Sequence, residues 1–226
     1  MMKFSYRGFM REMIQRKPVT IGPDASFYEA RTLIHDKGIR HLPVIDKKNR
    51  LVGIVTDRDI REAAPSDATL LSVQELNYLL GKLNVSSFMT PKEKLITITP
   101  DALVEEAVQL MHTNKIGCLP VLEEKKLYGI FTETDALNLL VDIFGLKQKG
   151  TRLTISVEDK PGALLGILEI FKKYRVNVIS LVSPSFTVEG NRIAAVRIKT
   201  EEYKDVVQDL EKADYPVLSV GKWPSV

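Results

Sequence analysis

At 226 residues, 44% hydrophobic and 27% charged, the chain has the size and balance of one or two soluble globular domains. Its net charge of +3 comes from interspersed acids and bases, which argues against a nucleic-acid tract, and its apolar runs are too short to span a bilayer. A lone cysteine, Cys118, excludes an internal disulfide and suits a reducing, cytoplasmic setting, while His35, His41 and His112 lack the spacing of metal ligands, so no metal site is expected.

The first eighteen residues are basic without a continuous apolar core, so no signal peptide is predicted, and a short helix is expected near residues 9–14. Residues 24–37 read as an amphipathic helix. Asp24 is the predicted cap, Phe27, Ala30, Leu33 and Ile34 form one stripe, and Gly38 is the stop. A strand with Leu42, Val44 and Ile45, a charged turn, and a strand with Leu51, Val52, Ile54 and Val55 predict a hairpin. A helix then opens, with Thr56 as N-cap and Asp59 at the capping-box position. Residues 64–67 read as a loop. Ser72 caps a connector helix with Val73, Leu76, Leu80 and Leu83 on one face.

The chain then repeats itself. Ile39, Pro43, Gly53, Thr56 and Asp59 return as Ile116, Pro120, Gly129, Thr132 and Asp135, with one residue fewer in the hairpin turn. The first helix of copy two is expected over 101–114, with Leu103, Ala107, Leu110 and Met111 inward. Its second helix, from Thr132, carries Leu137, Leu140, Val141 and Phe144 and stops at Gly145. After a polar linker at 145–151 the pattern becomes β-α-β-β-α-β, a ferredoxin-like order. In that tail Pro161 is placed at or near the first helical position, and Leu164, Leu168 and Phe171 are the predicted buried stripe.

The run G-h-h-T-x-x-D, present at Gly53, Thr56 and Asp59 and again at Gly129, Thr132 and Asp135, resembles the cystathionine-β-synthase (CBS) domain, which occurs as tandem pairs. Asp159, Pro161 and Gly162, then Asn177 and Ile179, resemble the ACT domain. The order of CBS pair, helical insert and ACT domain is similar to that of the AcuB-type acetoin-utilisation proteins. The implied fold is α/β: repeat one with its connector at 1–85, repeat two at 86–146, and an ACT-like domain at 151–226. The two copies are expected to pack sheet to sheet about a pseudo-twofold axis.

By resemblance, CBS pairs bind adenosyl compounds (AMP, ADP, ATP or S-adenosylmethionine) between the repeats. Ribose goes to the motif Asp and phosphate toward the motif Thr. A helix N-terminus with free N–H groups suits an anion, although Thr56 and Asp59 also serve as a plain cap. Thr20, Ile21, His41 and Pro43 are the expected walls for the base in copy one, and Ile98, Ile116, Cys118 and Pro120 are their counterparts. Arg40, His41, Asp57 and Arg58 align with Gly117, Cys118, Glu133 and Thr134. Unequal sites follow. Copy one takes a phosphorylated adenosine. Copy two, where an anion would depend on Lys115 or on Arg side chains from the other repeat, is weaker or prefers less charge. Cys118 also reads as small core filler. In the ACT tail, Asp159, Pro161, Gly162, Ala163, Asn177 and Ile179 are candidates for an amino-acid effector.

No nucleophile elbow, metalloprotease motif, phosphate loop or dinucleotide fingerprint is present, so no catalysis and no catalytic cofactor are expected. The leading expectation is a regulatory protein whose ligand is an adenine nucleotide or S-adenosylmethionine, acting as a homodimer or higher homo-oligomer through its CBS and ACT surfaces, with a regulated enzyme as a further partner. A ligand-free interaction scaffold and an amino-acid sensor acting through the ACT domain remain the alternatives. Membrane and nucleic-acid partners are not expected.

Overall fold

The structure, a computed structural model, describes residues 11, 13–64, 72–185, 187–188 and 190–223. The predicted loop at 65–67, and residues 9, 10 and 12 of the predicted first helix, lie outside them. Arg11 and Met13 are helical. No helix among the described residues is long and apolar enough to cross a membrane. The chain forms two compact units that part between Ala136 and Leu137.

The first unit holds the two copies up to Ala136, within the last helix of copy two. Strand β1 is Gln15–Arg16, and helix α1, Phe27–Asp36, buries Phe27, Ala30 and Ile34. Its cap is Ser26, which closes a capping box with Glu29; this corrects Asp24. Strands β2, His41–Ile45, and β3, Leu51–Thr56, form the predicted hairpin, and α2 runs over Asp57–Ala63. Ser72 caps the connector α3, Val73–Gly81, as predicted, and Leu76, Leu80 and Leu83 join the core of the first copy. The short α4, Val85–Phe88, leads into β4, Thr90–Pro91. Copy two follows as α5, Val104–Asn114, β5, Cys118–Glu123, β6, Lys126–Thr132, and α6, Glu133–Ile143.

The strand order is β2-β3-β4 in one sheet and β1-β6-β5 in the other. Each hairpin therefore takes its third strand from the segment that leads into the other copy. Gly53 pairs with Pro91, and Gly129 pairs with Arg16. Each leading segment then returns to its own copy through a parallel bridge, Ile21 to Val44 and Ile98 to Val121. This reciprocity gives the pair its approximate two-fold character. Gly53 makes room for it, since a Cβ there would stand 2.6 Å from Met89 Sδ and 2.8 Å from the Thr90 carbonyl oxygen.

In the CBS pair, two predicted apolar stripes differ from the observed ones. Leu103 caps α5 by backbone alone and is exposed, and Val104 is buried in its place. Helix α6 buries none of its residues: Leu137, Leu140 and Ile143 are exposed, as is Phe144 just beyond its end. Periodicity marks an apolar face but not whether this chain covers it.

The second unit is ferredoxin-like, as predicted. Its strands are β7, Gly150–Val157, β8, Val178–Val182, β10, Asn191–Ile198, and β11, Val217–Trp223, in the antiparallel order β11-β7-β10-β8. A two-residue β9, Thr187–Val188, adds to β10. Alternate residues Leu153, Ile155, Val157, Ala194, Val196 and Ile198 face helices α7, Ala163–Lys173, and α8, Lys204–Lys212. The buried residues of α7 are Ile167 and Phe171. Leu168 is exposed, which corrects the predicted stripe by one position. Pro161 precedes the N-cap, which is Gly162 at a φ of 81°.

Candidate functional site

Two clefts lie between the copies. The larger, about 380 Å³, opens at Thr56, with Asp57, Arg58 and Arg61 on the α2 side. Its opposite wall is Leu95, Ile96, Lys115 and Ile116 from copy two, over a floor of Ile54, Cys118 and Pro120. The smaller, about 230 Å³, opens at Thr132, with Glu133, Thr134 and Asp135, and its opposite wall is Pro18, Val19, Gly38 and Ile39 from copy one. Arg40, His41, Gly117 and Glu133 line both. Each motif thus faces the wall of the other copy. The strand exchange causes this, because Pro18 and Val19 follow β1, which is paired to β6, while Leu95 and Ile96 come soon after β4, which is paired to β3.

The motif side chains close identical caps. The Thr56 amide and hydroxyl both donate to Asp59 Oδ2, at 2.7 Å each, and Thr56 Oγ1 accepts from the Asp59 amide at 3.2 Å. In copy two the Thr132 amide and hydroxyl donate to Asp135 Oδ2 at 2.8 and 2.6 Å. The next amide is also committed, Asp57 N–H to the Arg40 carbonyl and Glu133 N–H to the Gly117 carbonyl, both at 3.1 Å. Less of each helix end is left open to an anion than a bare N-terminus offers. The remaining resource is Oδ1 of each aspartate, which accepts no hydrogen bond among the described residues. Asp135 lines its cleft and Asp59 does not.

Charge separates the clefts. The Thr56 cleft is lined by Arg40, Arg58, Arg61 and Lys115 against Asp57 and Glu133. The Thr132 cleft has Arg40 against Glu133 and Asp135. Arg58 pairs with Glu62 at 2.7 Å and Arg61 with Asp57 at 3.2 Å. Both are exposed pairs one helical turn apart, which contribute little and give way readily to a better anion. Arg40 and Lys115 form no ion pair among the described residues.

His41 is half-buried. Burial lowers its pKa, Arg40 adds to this, and Glu133 and Asp59 pull the other way. The net direction is downward, so the unfolded chain takes the proton first. The stabilisation is complete above the unfolded value of about 6.5 and is lost as pH falls from there through the lower folded value. A melting series from pH 8 to pH 5.5 is expected to fall more steeply for the native chain than for His41→Gln; parallel curves would remove His41 from the titration. Burial pushes the Cys118 thiol up to about 12, with Asp135 adding to the effect, so it remains a neutral core group.

The CBS-domain family profile matches residues 10–66 and 85–142, which contain both motifs and both cleft walls. The chain belongs to the CBS-domain family. A profile for the TTHA0829-like ACT domain matches residues 149–221, so the CBS pair is followed by an ACT domain. A CBS domain-containing protein of Dictyostelium discoideum is 33% identical over 135 residues, 59% of this chain and 92% of its own. Inosine-5'-monophosphate dehydrogenase of Pasteurella multocida is 36% identical over 119 residues, 52% of this chain, and the match spans only 21% of that enzyme. The crystal structure of a Vibrio cholerae protein assigned to acetoin utilization (AcuB) superposes with a TM-score of 0.51 and 29% identity, covering 61% of this chain and 93% of its own.

Most of the predicted residues come together in the CBS clefts, but with crossed allegiance. Lys115 faces Thr56 rather than the copy-two motif, and Ile116, Cys118 and Pro120 face it too. Thr20, Ile21, Pro43 and Ile98 line neither cleft. Ile21 and Ile98 are buried in their parallel bridges, and Pro43 is buried in β2. The walls sit two residues earlier, at Pro18 and Val19 and at Leu95 and Ile96. Their apolar character at the start of each repeat was the available signal. Arg61 was also legible, lying one turn after Arg58 on α2.

In the ACT domain, Asp159, Gly162 and Ala163 line a cleft of about 190 Å³ with Lys160, Ser183 and Arg192, and Arg192 reaches Asp159 at 3.4 Å. Pro161 does not line it. Asn177 and Ile179 are at the other end of the sheet, where Val178 pairs with Ile198 and Ile198 with Thr151. Antiparallel pairing separates them from the turn that follows Val157.

Proposed function

We propose that the protein is a non-catalytic sensor of adenosyl compounds, with the Thr56 cleft taking a phosphorylated adenosine and the Thr132 cleft an adenosyl compound of lower negative charge. The unequal charge of the two clefts, which open at equivalent motifs, carries this reading. Arg58, Arg61 and Lys115 line only the first, against Asp57, a set suited to phosphate, whereas Asp135 lines only the second. Apolar walls from the opposite copy suit a purine, and Asp135 Oδ1 suits a ribose hydroxyl. Asp59 takes the same role after a small shift of α2. A ligand gripping both copies favours one arrangement of them, and that preference is the signal. The ACT domain then changes its association or its grip on a regulated enzyme, in a cytoplasmic homodimer or larger homo-oligomer. The exposed Leu137, Leu140 and Ile143 support self-association. The likeness to AcuB supports a place in acetoin utilisation.

A ligand-free scaffold is the second reading, favoured by the fact that Thr56 with Asp59 and Thr132 with Asp135 are engaged in helix caps. Calorimetry and thermal shift with AMP, ADP, ATP, NAD, adenosine and S-adenosylmethionine decide between the two. A ligand that binds only the folded chain raises the midpoint by mass action. Asp135→Asn keeps an oxygen for the Thr132 cap but replaces the free acceptor by a donor. It is expected to leave the midpoint unchanged and to weaken binding in the Thr132 cleft about tenfold. No shift with any compound at millimolar concentration would establish the scaffold.

A further inference from the structure

Arg40 and Glu133 line both clefts, but they are not equivalent by the two-fold relation. The counterpart of Glu133 is Asp57, another carboxylate. The counterpart of Arg40 is Gly117, which has no side chain; a Cβ there would stand 3.2 Å from His41 Nε2 and 3.4 Å from the Glu133 carboxylate. The position between the clefts therefore holds one guanidinium where a symmetric pair would hold two. The Arg40 backbone is held in place, because its carbonyl accepts the Asp57 amide at 3.1 Å. Its side chain is exposed and makes no ion pair among the described residues. It is thus available to either cleft, and a phosphate that takes it in a bidentate contact on one side draws it away from the other.

We infer that Arg40 couples the two clefts: a phosphorylated adenosine in the Thr56 cleft engages this guanidinium, and the Thr132 cleft then binds a cationic adenosyl compound more tightly and an anionic one more weakly. The inference rests on the reading of the clefts given above. With Arg40 engaged elsewhere, the acidic side chains Glu133 and Asp135 line the Thr132 cleft with no basic side chain beside them except His41. A sulfonium ligand gains from that field and a second phosphate loses. Because coupling between binding sites is reciprocal, the cationic ligand must tighten the phosphorylated one by the same factor.

Calorimetric titration of the full chain tests this. S-adenosylmethionine is titrated with and without saturating ADP, and ADP with and without saturating S-adenosylmethionine. The expected result is about a tenfold tightening in both directions. Arg40→Gln, with an unchanged melting point, is expected to bind both ligands with a coupling factor of one. Independent affinities in the native chain, mutual exclusion of the two ligands, or undiminished coupling in Arg40→Gln would overturn the inference while leaving the sensor reading intact. Failure of both ligands to bind would overturn the sensor reading and the coupling together.

Discussion

Gly53→Val is expected to destabilise the chain by about 3 kcal/mol, seen as a lower urea midpoint with an unchanged slope. The new Cβ would meet the Thr90 carbonyl oxygen at 2.8 Å. That atom belongs to the backbone of β4, so no side-chain rotation relieves the clash. Either β4 leaves the edge of β3 or the hairpin distorts. Both outcomes also remove Leu95 and Ile96 from the Thr56 cleft, so ligand binding should be lost along with stability. Gly22→Ala is the control, since its Cβ would meet nothing within 4 Å, and it should leave the midpoint in place. A Gly53→Val protein as stable as the native chain would mean that β4 does not pair as observed.

The second large effect is on affinity. Removing Lys115 and Arg58 together, as Lys115→Gly with Arg58→Met, is expected to weaken ADP binding at least about 100-fold, because each charge-assisted contact to phosphate contributes roughly 1.5–3 kcal/mol. Adenosine, which has no phosphate, should bind as before. Glycine at 115 makes the result decisive. Lys115 is the left-handed C-cap of α5, at a φ of 53°, and its counterpart in copy one is Gly38 at a φ of 60°. A side chain costs about 1 kcal/mol in that conformation, so the variant should be slightly more stable than the native chain while binding ADP far more weakly. Titration and urea unfolding read the two effects separately. Equal losses for ADP and adenosine would show that the pair shapes the wall rather than meeting a phosphate.

A lysine held in a backbone conformation that suits glycine, at the mouth of a cleft, breaks a local rule that the other copy keeps. Such departures belong more often to sites than to cores. The repeat makes it visible, because each copy serves as the reference for the other. His41 against Cys118 and Arg40 against Gly117 are visible in the same way from the sequence alone. Their consequence is not, since charge in a cleft depends on which residues share it.

Much of the architecture follows from local chemistry along the chain. The hairpins, the Thr56 and Thr132 caps and the ferredoxin-like order of the tail are set by residues within a few positions of one another. Alternation and helical spacing act over those distances. What the tertiary structure decided is the pairing of pieces far apart. The dipeptides Gln15–Arg16 and Thr90–Pro91 are too short to carry any period. They become strands because β6 and β3 each present an unpaired edge whose N–H and C=O groups need partners. That edge pairing crosses the copies, moves Lys115 opposite Thr56, and leaves Arg40 between two clefts that the linear order assigns to separate repeats.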